Sequence, residues 1–238
     1  MKRMMLRLTG VMLVIVLCLG AIGWFGQHDK VNNALYRAYY GDHGIPAVHQ
    51  DVYKEAAATY DVDWRLLAAV HRVETIFSHS SSMRSSVGAI GPFQFMPRTW
   101  LGWQYDTDDQ KGDVPEDEVD LTDLTLIEQY GGLGRDGDDD GKADPHSLVD
   151  SAHAAAYYLS EHGGQTTDSI ESIQNAIFEY NRSDQYVSDV MSFYEQYQDK
   201  LSLLPGDATT TKQQVARYTI RYLDWFAGWA WPGTTWLK

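Results

Sequence analysis

Apolar residues recur at helical spacing through most of the chain between residues 50 and 200. The clearest case is a stripe at the i, i+3, i+4 and i+7 positions of a helix that covers roughly residues 64–76. This stripe consists of Leu66, Leu67, Val70, Val73 and Phe77. Asp63 precedes it, where a helix N-cap is expected. The pattern predicts an amphipathic helix with one buried face.

The same analysis predicts several further helices. They cover about 50–60, a short segment beginning at Pro97, an alanine-rich segment from the capping box at 147–150 to Leu159, about 168–180 and about 184–200. In the last one, Tyr186, Val190, Phe193 and Tyr197 form one apolar stripe. Residues 78–91 are rich in Ser and Gly and are predicted as a loop. Residues 105–145 are acidic with little periodicity and are predicted as an excursion on the surface. No long strand-like alternation occurs, and the predicted fold class is therefore mainly α.

The N-terminal segment has a different pattern. Lys2, Arg3 and Arg7 precede a nearly uninterrupted apolar run over residues 8–26. A run of this length can cross a bilayer as a helix, and basic residues before it predict a cytoplasmic N-terminus. We therefore expect a cytoplasmic tip at 1–7, a single-pass anchor in the cell membrane at 8–26, and an extracytoplasmic remainder. A cleaved signal peptide is the alternative, but no small-x-small cleavage site follows the run.

Composition limits the classes of protein further. The chain has 238 residues, of which 44% are hydrophobic and 22% charged, enough for one globular domain with a sizeable core. The formal charge of −14 argues against a nucleic-acid partner. The single cysteine, Cys18, lies in the predicted anchor, so the outer domain has no disulfide. The sequence does not indicate an oligomeric state.

Glu74 is the candidate for chemistry on the predicted helix 64–76. It follows Val70 by one turn, at the edge of the apolar stripe, where a carboxyl group loses water and its pKa rises. A carboxyl group that stays protonated near neutral pH can act as a general acid. The alternative is an ordinary surface glutamate at a helix end. The loop that follows contains Gly88 and Gly91, which permit close backbone approach to a ligand, and then Gln94, which can donate to and accept from sugar hydroxyls or acetamido groups.

Four short motifs follow one another in the chain. They are Glu74-Thr75, Gly88-Ala89-Ile90-Gly91 after a pair of serines, Gln94-Phe95-Met96-Pro97-Arg98-Thr99, and Tyr180-Asn181. This order resembles the lytic transglycosylases of the lysozyme-like superfamily, and the second and third motifs resemble the branch related to membrane-bound lytic transglycosylase B. The resemblance covers about 46–197. It implies a lysozyme-like helical domain behind the N-terminal transmembrane helix.

The resemblance also implies an activity on peptidoglycan glycan strands. Glu74 would protonate the β-1,4 bond between N-acetylmuramic acid and N-acetylglucosamine and then act as a base, which yields a 1,6-anhydro product. Substrate-binding roles would fall to Gln94, Tyr180, Asn181, Thr75 and Met96. No cofactor would be required for this chemistry. The alternatives are a hydrolytic muramidase of the same fold and a non-catalytic wall-binding scaffold, and for Tyr180 a core aromatic on its helix.

The acidic segment carries a second candidate site. Asp136, Asp138 and Asp140 stand at alternate positions with Gly141 next, as in the first half of an EF-hand calcium loop. The backbone carbonyl of Lys142 would provide a further ligand. The glutamate expected at the twelfth position is absent, since that residue is Ser147. By resemblance to the transglycosylase B-like branch, Asp150 would close an extended loop over 136–150, with Asp144 as the backup, around a structural Ca²⁺. The alternative is a solvated acidic loop.

The remaining segments complete the predicted organisation. We expect a stalk at 27–45, the catalytic domain at 46–204 and an aromatic-rich tail at 205–238. The tail would pack on the domain, rest at the membrane interface or stack on sugars, and the sequence does not decide among the three.

Overall fold

The computed structural model describes residues 29–80, 83–106, 114, 119–206 and 215. In these ranges the chain forms eight α-helices, one 3-10 turn and one pair of short strands. The helices are α1 Asp29–Tyr40, α2 Gln50–Tyr60, α3 Trp64–Thr75, α4 Pro97–Leu101, α5 Leu124–Tyr130, α6 Leu148–Glu161, α7 Ile170–Tyr180 and α8 Asp184–Asp199. Strands β1 (Gly44–Pro46) and β2 (Ser202–Leu204) pair in parallel, and the 3-10 turn covers Ala47–His49. The predicted mainly α class is confirmed.

Helix α3 lies at the centre of the core because its apolar stripe is buried. Leu66, Leu67 and Val70 have no exposed surface, and Phe77 beyond the helix end is equally buried. The helix packs most extensively against α8 and also contacts α2 and α6. Asp63 caps it as predicted, with its carboxylate accepting a hydrogen bond from the Arg65 N–H at 2.9 Å. The helix that carries Glu74 is therefore held from several sides.

The segment predicted as a stalk contributes to this packed body. Helix α1 buries Tyr36 and Tyr40 in the core. The buried guanidinium of Arg72, on α3, donates to the carbonyl oxygens of Arg37 and Gly41 at 3.1 and 2.8 Å. The i, i+4 spacing of Tyr36 and Tyr40 agrees with one buried helix face, but the contacts that bury α1 come from residues far away in the sequence.

The acidic segment 105–145 also differs from its prediction as a surface segment without periodicity, because it contains α5. Asp123 caps this helix by accepting from the N–H groups of Thr125 and Leu126, and Gly131 ends it at φ 71°. The indole N–H of the buried Trp100 donates to the carbonyl oxygens of Leu121 and Ala143 at 3.0 and 3.2 Å. The acidic segment is therefore hydrogen-bonded to the core at Leu121 and at Ala143.

Two predictions concern parts of the chain that the structure does not describe. The anchor at 8–26 lies outside the described residues, as does nearly all of the tail. Among the helices that are described, none has the length and apolar character needed to cross a membrane. The lysozyme-like assignment of this helical domain stays a prediction.

Candidate active site

Glu74 occupies the last turn of α3 and receives a hydrogen bond from a tyrosine. The hydroxyl of Tyr186, near the start of α8, donates to Oε1 of Glu74 at 2.7 Å. Burial raises the pKa of Glu74 to about 7, and the Tyr186 hydrogen bond acts in the opposite direction by stabilising the carboxylate. Near neutral pH both forms of the carboxyl group are populated, so the group can donate and accept a proton.

Tyr180 lies beside this pair at the end of α7. Its ring is parallel to that of Tyr186, with 3° between the planes and 6.4 Å between the centroids. Its hydroxyl donates to the carbonyl oxygen of Phe93 at 2.8 Å. Burial, followed by the charge of Glu74, raises the pKa of Tyr180 well above its usual value, so the phenol stays protonated. Tyr180 therefore joins α7 to the glycine-rich loop and borders Glu74.

Thr75 and Gln94 shape the loop that faces the end of α3. The buried Thr75 hydroxyl donates to the carbonyl oxygen of Pro92 at 2.8 Å. Gln94 has a φ of 52°, and its amide donates to the carbonyl oxygens of Gly91 and Met83 at 2.8 and 3.1 Å. The side-chain nitrogen of Gln94 is thus used within the loop. The sequence predicts that Gln94 contacts substrate, and only its carbonyl oxygen is left for that role.

Met96 and Asn181 lie close in the chain to Gln94 and Tyr180. Met96 is half-buried and provides the N-cap residue of α4. Asn181 ends α7 next to Tyr180, with an exposed side chain. Within the described ranges, no hydrogen bond joins either side chain to Glu74. Their substrate-binding roles stay predictions.

Tyr186 is the residue that sequence reasoning missed. Its spacing with Val190 and Tyr197 identified it as part of a buried stripe, and all three are indeed buried. Periodicity reports which face of a helix is buried, but it does not report where a hydroxyl group points. Only the packing of α8 against α3 shows that this tyrosine reaches Glu74.

We expect Tyr186→Phe to raise the pKa of Glu74. The substitution removes a hydrogen bond to the carboxylate, which is worth about 1.5–3 kcal/mol and corresponds to about one to two pH units. A ¹³C NMR titration of the Glu74 carboxyl group measures the shift. Tyr194→Phe is the matched control on α8, because the Tyr194 hydroxyl donates to Asp63, at the other end of α3. Equal titration curves for parent and Tyr186→Phe would contradict the prediction.

Three of the predicted metal ligands lie together. Carboxylate oxygens of Asp136, Asp138 and Asp150 are all within 4.8 Å of one another. Two oxygens bound to one Ca²⁺ at about 2.3–2.6 Å can be separated by such a distance. Asp150 is buried and accepts from the N–H groups of Gly137 and Asp144 at 2.9 and 2.8 Å. The donor set therefore fits a hard cation with oxygen ligands.

The other predicted ligands are arranged differently. Asp140 is not a member of the three-carboxylate group, and its Oδ1 accepts from the Lys142 N–H at 2.9 Å. Oδ1 of Asp144, the backup ligand, accepts a hydrogen bond from the N–H of His146. Burial raises the pKa of Asp150, and the charges of Asp138 and Asp136 also raise it against the effect of its two backbone donors. A cation would relieve this repulsion between like charges.

The acidic loop and the glycine-rich loop touch at Gly91. A Cβ placed on Gly91 would lie 1.8 Å from the carbonyl oxygen of Pro145, and the residue has a φ of 75°. The Gly91 N–H donates to the carbonyl oxygen of Met83 at 2.9 Å. Glycine is required here both for the backbone conformation and for the close approach. The segment that carries Gln94 therefore rests directly on the candidate metal loop.

We expect Gly91→Ala to destabilise the protein by more than the cost of the left-handed backbone conformation at residue 91. A left-handed conformation costs a non-glycine residue about 1–2 kcal/mol, and the clash with a backbone oxygen adds to this cost. Gly41→Ala is the control, because Gly41 has a φ of 55° and a Cβ added there would meet no atom within 4 Å. Urea denaturation of both variants measures the difference. Equal losses of stability in the two variants would contradict the prediction, because the backbone at Pro145 would then move away from the new Cβ at no energetic cost.

The chain is similar to a known protein over part of its length. No family model matches the chain. The chain is similar to a protein named "L-Ala--D-Glu endopeptidase" from Bacillus subtilis (strain 168), with 27% identity over 144 residues. The match covers 60% of this chain and 39% of the relative, so the chain spans well under half of that protein's length.

This finding corrects the predicted family and the predicted activity. The relative is an endopeptidase by name, so the assignments as a lytic transglycosylase and as a lyase that forms an anhydro sugar are wrong. The four motifs specify a helix-borne carboxyl group and a glycine-rich loop beside it. Those features suit proton transfer, but they do not identify the bond that is cleaved, and this is the physical reason for the error.

Proposed function

We propose that this chain is a peptidoglycan hydrolase in which Glu74 transfers the proton. The observation that carries the proposal is the half-buried carboxyl group of Glu74, with a pKa of about 7 and a tyrosine donor at 2.7 Å. A general acid–base group works best when its pKa is near the operating pH. The relative supports the substrate class, because a bond from L-Ala to D-Glu is a linkage of peptidoglycan stem peptides.

We propose a peptide bond of the stem peptide as the target. As a carboxylate, Glu74 would take a proton from the water molecule that attacks the carbonyl carbon. As a carboxylic acid, it would return that proton to the leaving amine when the C–N bond breaks. The Tyr186 hydroxyl would orient the carboxyl group in both steps. The chain's own residues need no cofactor for this proton transfer.

Product analysis of digested peptidoglycan tests the proposal. A peptidase releases new amino termini, whereas cleavage of the glycan releases new reducing ends. We expect new amino termini with the parent and a release at least about 100-fold slower with Glu74→Gln. New reducing ends alone would overturn the choice of bond. Equal digestion by parent and Glu74→Gln would overturn the role of Glu74, and binding to the wall without any product would indicate a non-catalytic wall-binding protein.

We further propose that Asp136, Asp138 and Asp150 hold a structural Ca²⁺. The ion would cross-link the acidic loop to the start of α6 and, through Pro145 and Gly91, brace the loop that carries Gln94. It would stabilise the fold without entering the chemistry. A peptidoglycan substrate requires the domain to lie outside the cytoplasm, and this localisation, like attachment through residues 8–26, stays a prediction.

Calcium is expected to raise the melting temperature. A ligand at 100 times its Kd, if it binds only the folded state, stabilises a protein by about 2.7 kcal/mol. Differential scanning calorimetry in excess Ca²⁺ and in excess chelator measures the shift. Asp138→Asn should lose most of it, whereas Asp139→Asn should keep it, because Asp139 is an exposed neighbour outside the three-carboxylate group. Identical melting curves with calcium and with chelator would contradict the site.

A further inference from the structure

The backbone directly after Glu74 and Thr75 has an unusual conformation. Ile76, Phe77 and Ser78 follow one another with φ values of 53°, 59° and 64°. Left-handed φ values are uncommon for residues other than glycine, and they are least favourable for β-branched and bulky residues such as Ile76 and Phe77. Such a conformation persists only where surrounding contacts hold it. We call residues 76–78 the left-handed turn.

His71 makes two of the contacts that hold this turn. It lies one turn before Glu74 on α3 and is fully buried. Its Nε2 is 2.9 Å from Oγ of Ser78, and its backbone carbonyl accepts from the N–H of Phe77 at 3.3 Å. Its Nδ1 is 2.7 Å from the hydroxyl of Tyr53, on α2, which fixes the ring. Both ring nitrogens are therefore used.

The turn and His71 are also connected to the opposite wall of the site. Thr75 Oγ1 accepts from the Ser78 N–H at 3.2 Å while it donates to Pro92. The ring of His71 stacks on Phe93, with centroids 5.0 Å apart and 26° between the planes. The carbonyl oxygen of Phe93 is the one that receives the Tyr180 hydroxyl. The imidazole thus lies between the backbone that follows Glu74 and the loop that anchors Tyr180.

We propose that His71 is a positioning residue, which holds the left-handed turn closed through Ser78 and so keeps Glu74 at a fixed, partly dry position against Tyr186. This inference rests on the acid–base role of Glu74 in the proposed function. His71 has no exposed surface, so it acts through the turn and not on substrate. Burial, with the nearby His49 and His79, keeps the pKa of His71 well below its usual value, so the ring stays neutral and can accept from the Ser78 hydroxyl.

Two substitutions of Ser78 separate the conformation of the turn from the hydroxyl group. Ser78→Ala removes the bond to His71 but keeps the unfavourable φ, so the turn should open and water should reach Glu74. Ser78→Gly also removes the hydroxyl, but glycine adopts a positive φ readily and should keep the turn closed. Ser188→Ala, on the outer part of α8, is the control for loss of a serine hydroxyl.

Two measurements on the full chain report the result. A ¹³C NMR titration of Glu74 should show a pKa closer to the usual value in Ser78→Ala and a pKa like the parent's in Ser78→Gly. The kcat on peptidoglycan should fall about 10- to 100-fold in Ser78→Ala with KM nearly unchanged, as for a misplaced catalytic group, and should recover in Ser78→Gly.

The titration needs no substrate, so it tests the position of Glu74 even if the chain does not cleave peptidoglycan. If the proposed function is wrong, the parent protein will release no products from peptidoglycan, whatever the Glu74 titration shows. An unchanged Glu74 titration in Ser78→Ala would overturn the role of His71. A Ser78→Gly variant as impaired as Ser78→Ala would also overturn it, because the Ser78 hydroxyl would then act in some way other than by holding the turn in its left-handed conformation.

Discussion

Replacing Glu74 with Gln is expected to lower the rate of peptidoglycan cleavage by about 100- to 10,000-fold, the usual contribution of general acid–base catalysis. Glutamine keeps the size of the side chain, and its carbonyl oxygen can still accept the Tyr186 hydrogen bond. What it lacks is a proton that can be transferred near neutral pH. The rate is measured as new amino termini released per unit time from purified peptidoglycan.

The matched control is Glu179→Gln. Glu179 is on α7, and its carboxylate pairs at the surface with Arg182 and makes no hydrogen bond to Glu74 or Tyr186. The control removes one carboxylate from the same acidic protein and should cleave like the parent. If Glu74→Gln retained the parent's rate, proton transfer by Glu74 would be excluded, whichever bond is cleaved.

The second large effect is the pH dependence of stability. The pKa of Glu74 is about 7 in the folded protein, against an ordinary value of 4.5. The folded state therefore holds the proton more tightly than the unfolded state. The stability that this provides is fully present below pH 4.5 and is lost as the pH rises through about 7. The loss amounts to about 3 kcal/mol in the free energy of unfolding.

Glu74→Gln should not show this loss. Between pH 4.5 and pH 8, the free energy of unfolding of the parent should fall relative to that of the variant by about 3 kcal/mol. Urea denaturation at several pH values measures both curves. All other carboxyl groups are the same in both proteins, so their effects cancel in the difference. Parallel curves would show that Glu74 is as well solvated in the folded chain as in the unfolded one.

The short motifs predicted the arrangement of the site, but the reaction that their resemblance implied is wrong. Glu74-Thr75, the glycines around Gly91 and the Gln94 segment predicted a carboxyl group at a helix end beside a tight loop, and the structure has this arrangement. The bond that is cleaved depends on how a substrate lies against Glu74. Neither a motif nor the local helix determines that position, so the resemblance could suggest a site and still imply the wrong reaction.

Local patterns were sufficient for several features of the fold. The spacing of Leu66, Leu67 and Val70 predicted α3 and its buried face, and Asp63 and Ser147 predicted two helix starts. These features depend on residues within a few positions of one another, which is why they can be read from the chain. The acidic pattern at 136–140 likewise predicted a loop of carboxylates, although the structure groups only Asp136, Asp138 and Asp150.

The sequence by itself determined the approximate starts of six of the eight described helices, the buried faces of α3 and α8, and the position of Glu74 at the edge of a buried stripe. Only the tertiary structure decided that Tyr186 donates to Glu74, that α1 belongs to the core, and that His71 connects the left-handed turn to Phe93. The physical reason is distance along the chain. Helix spacing and caps arise from neighbouring residues, whereas the direction of a hydroxyl or imidazole group depends on packing between helices that can be more than 100 residues apart, as Glu74 and Tyr186 are.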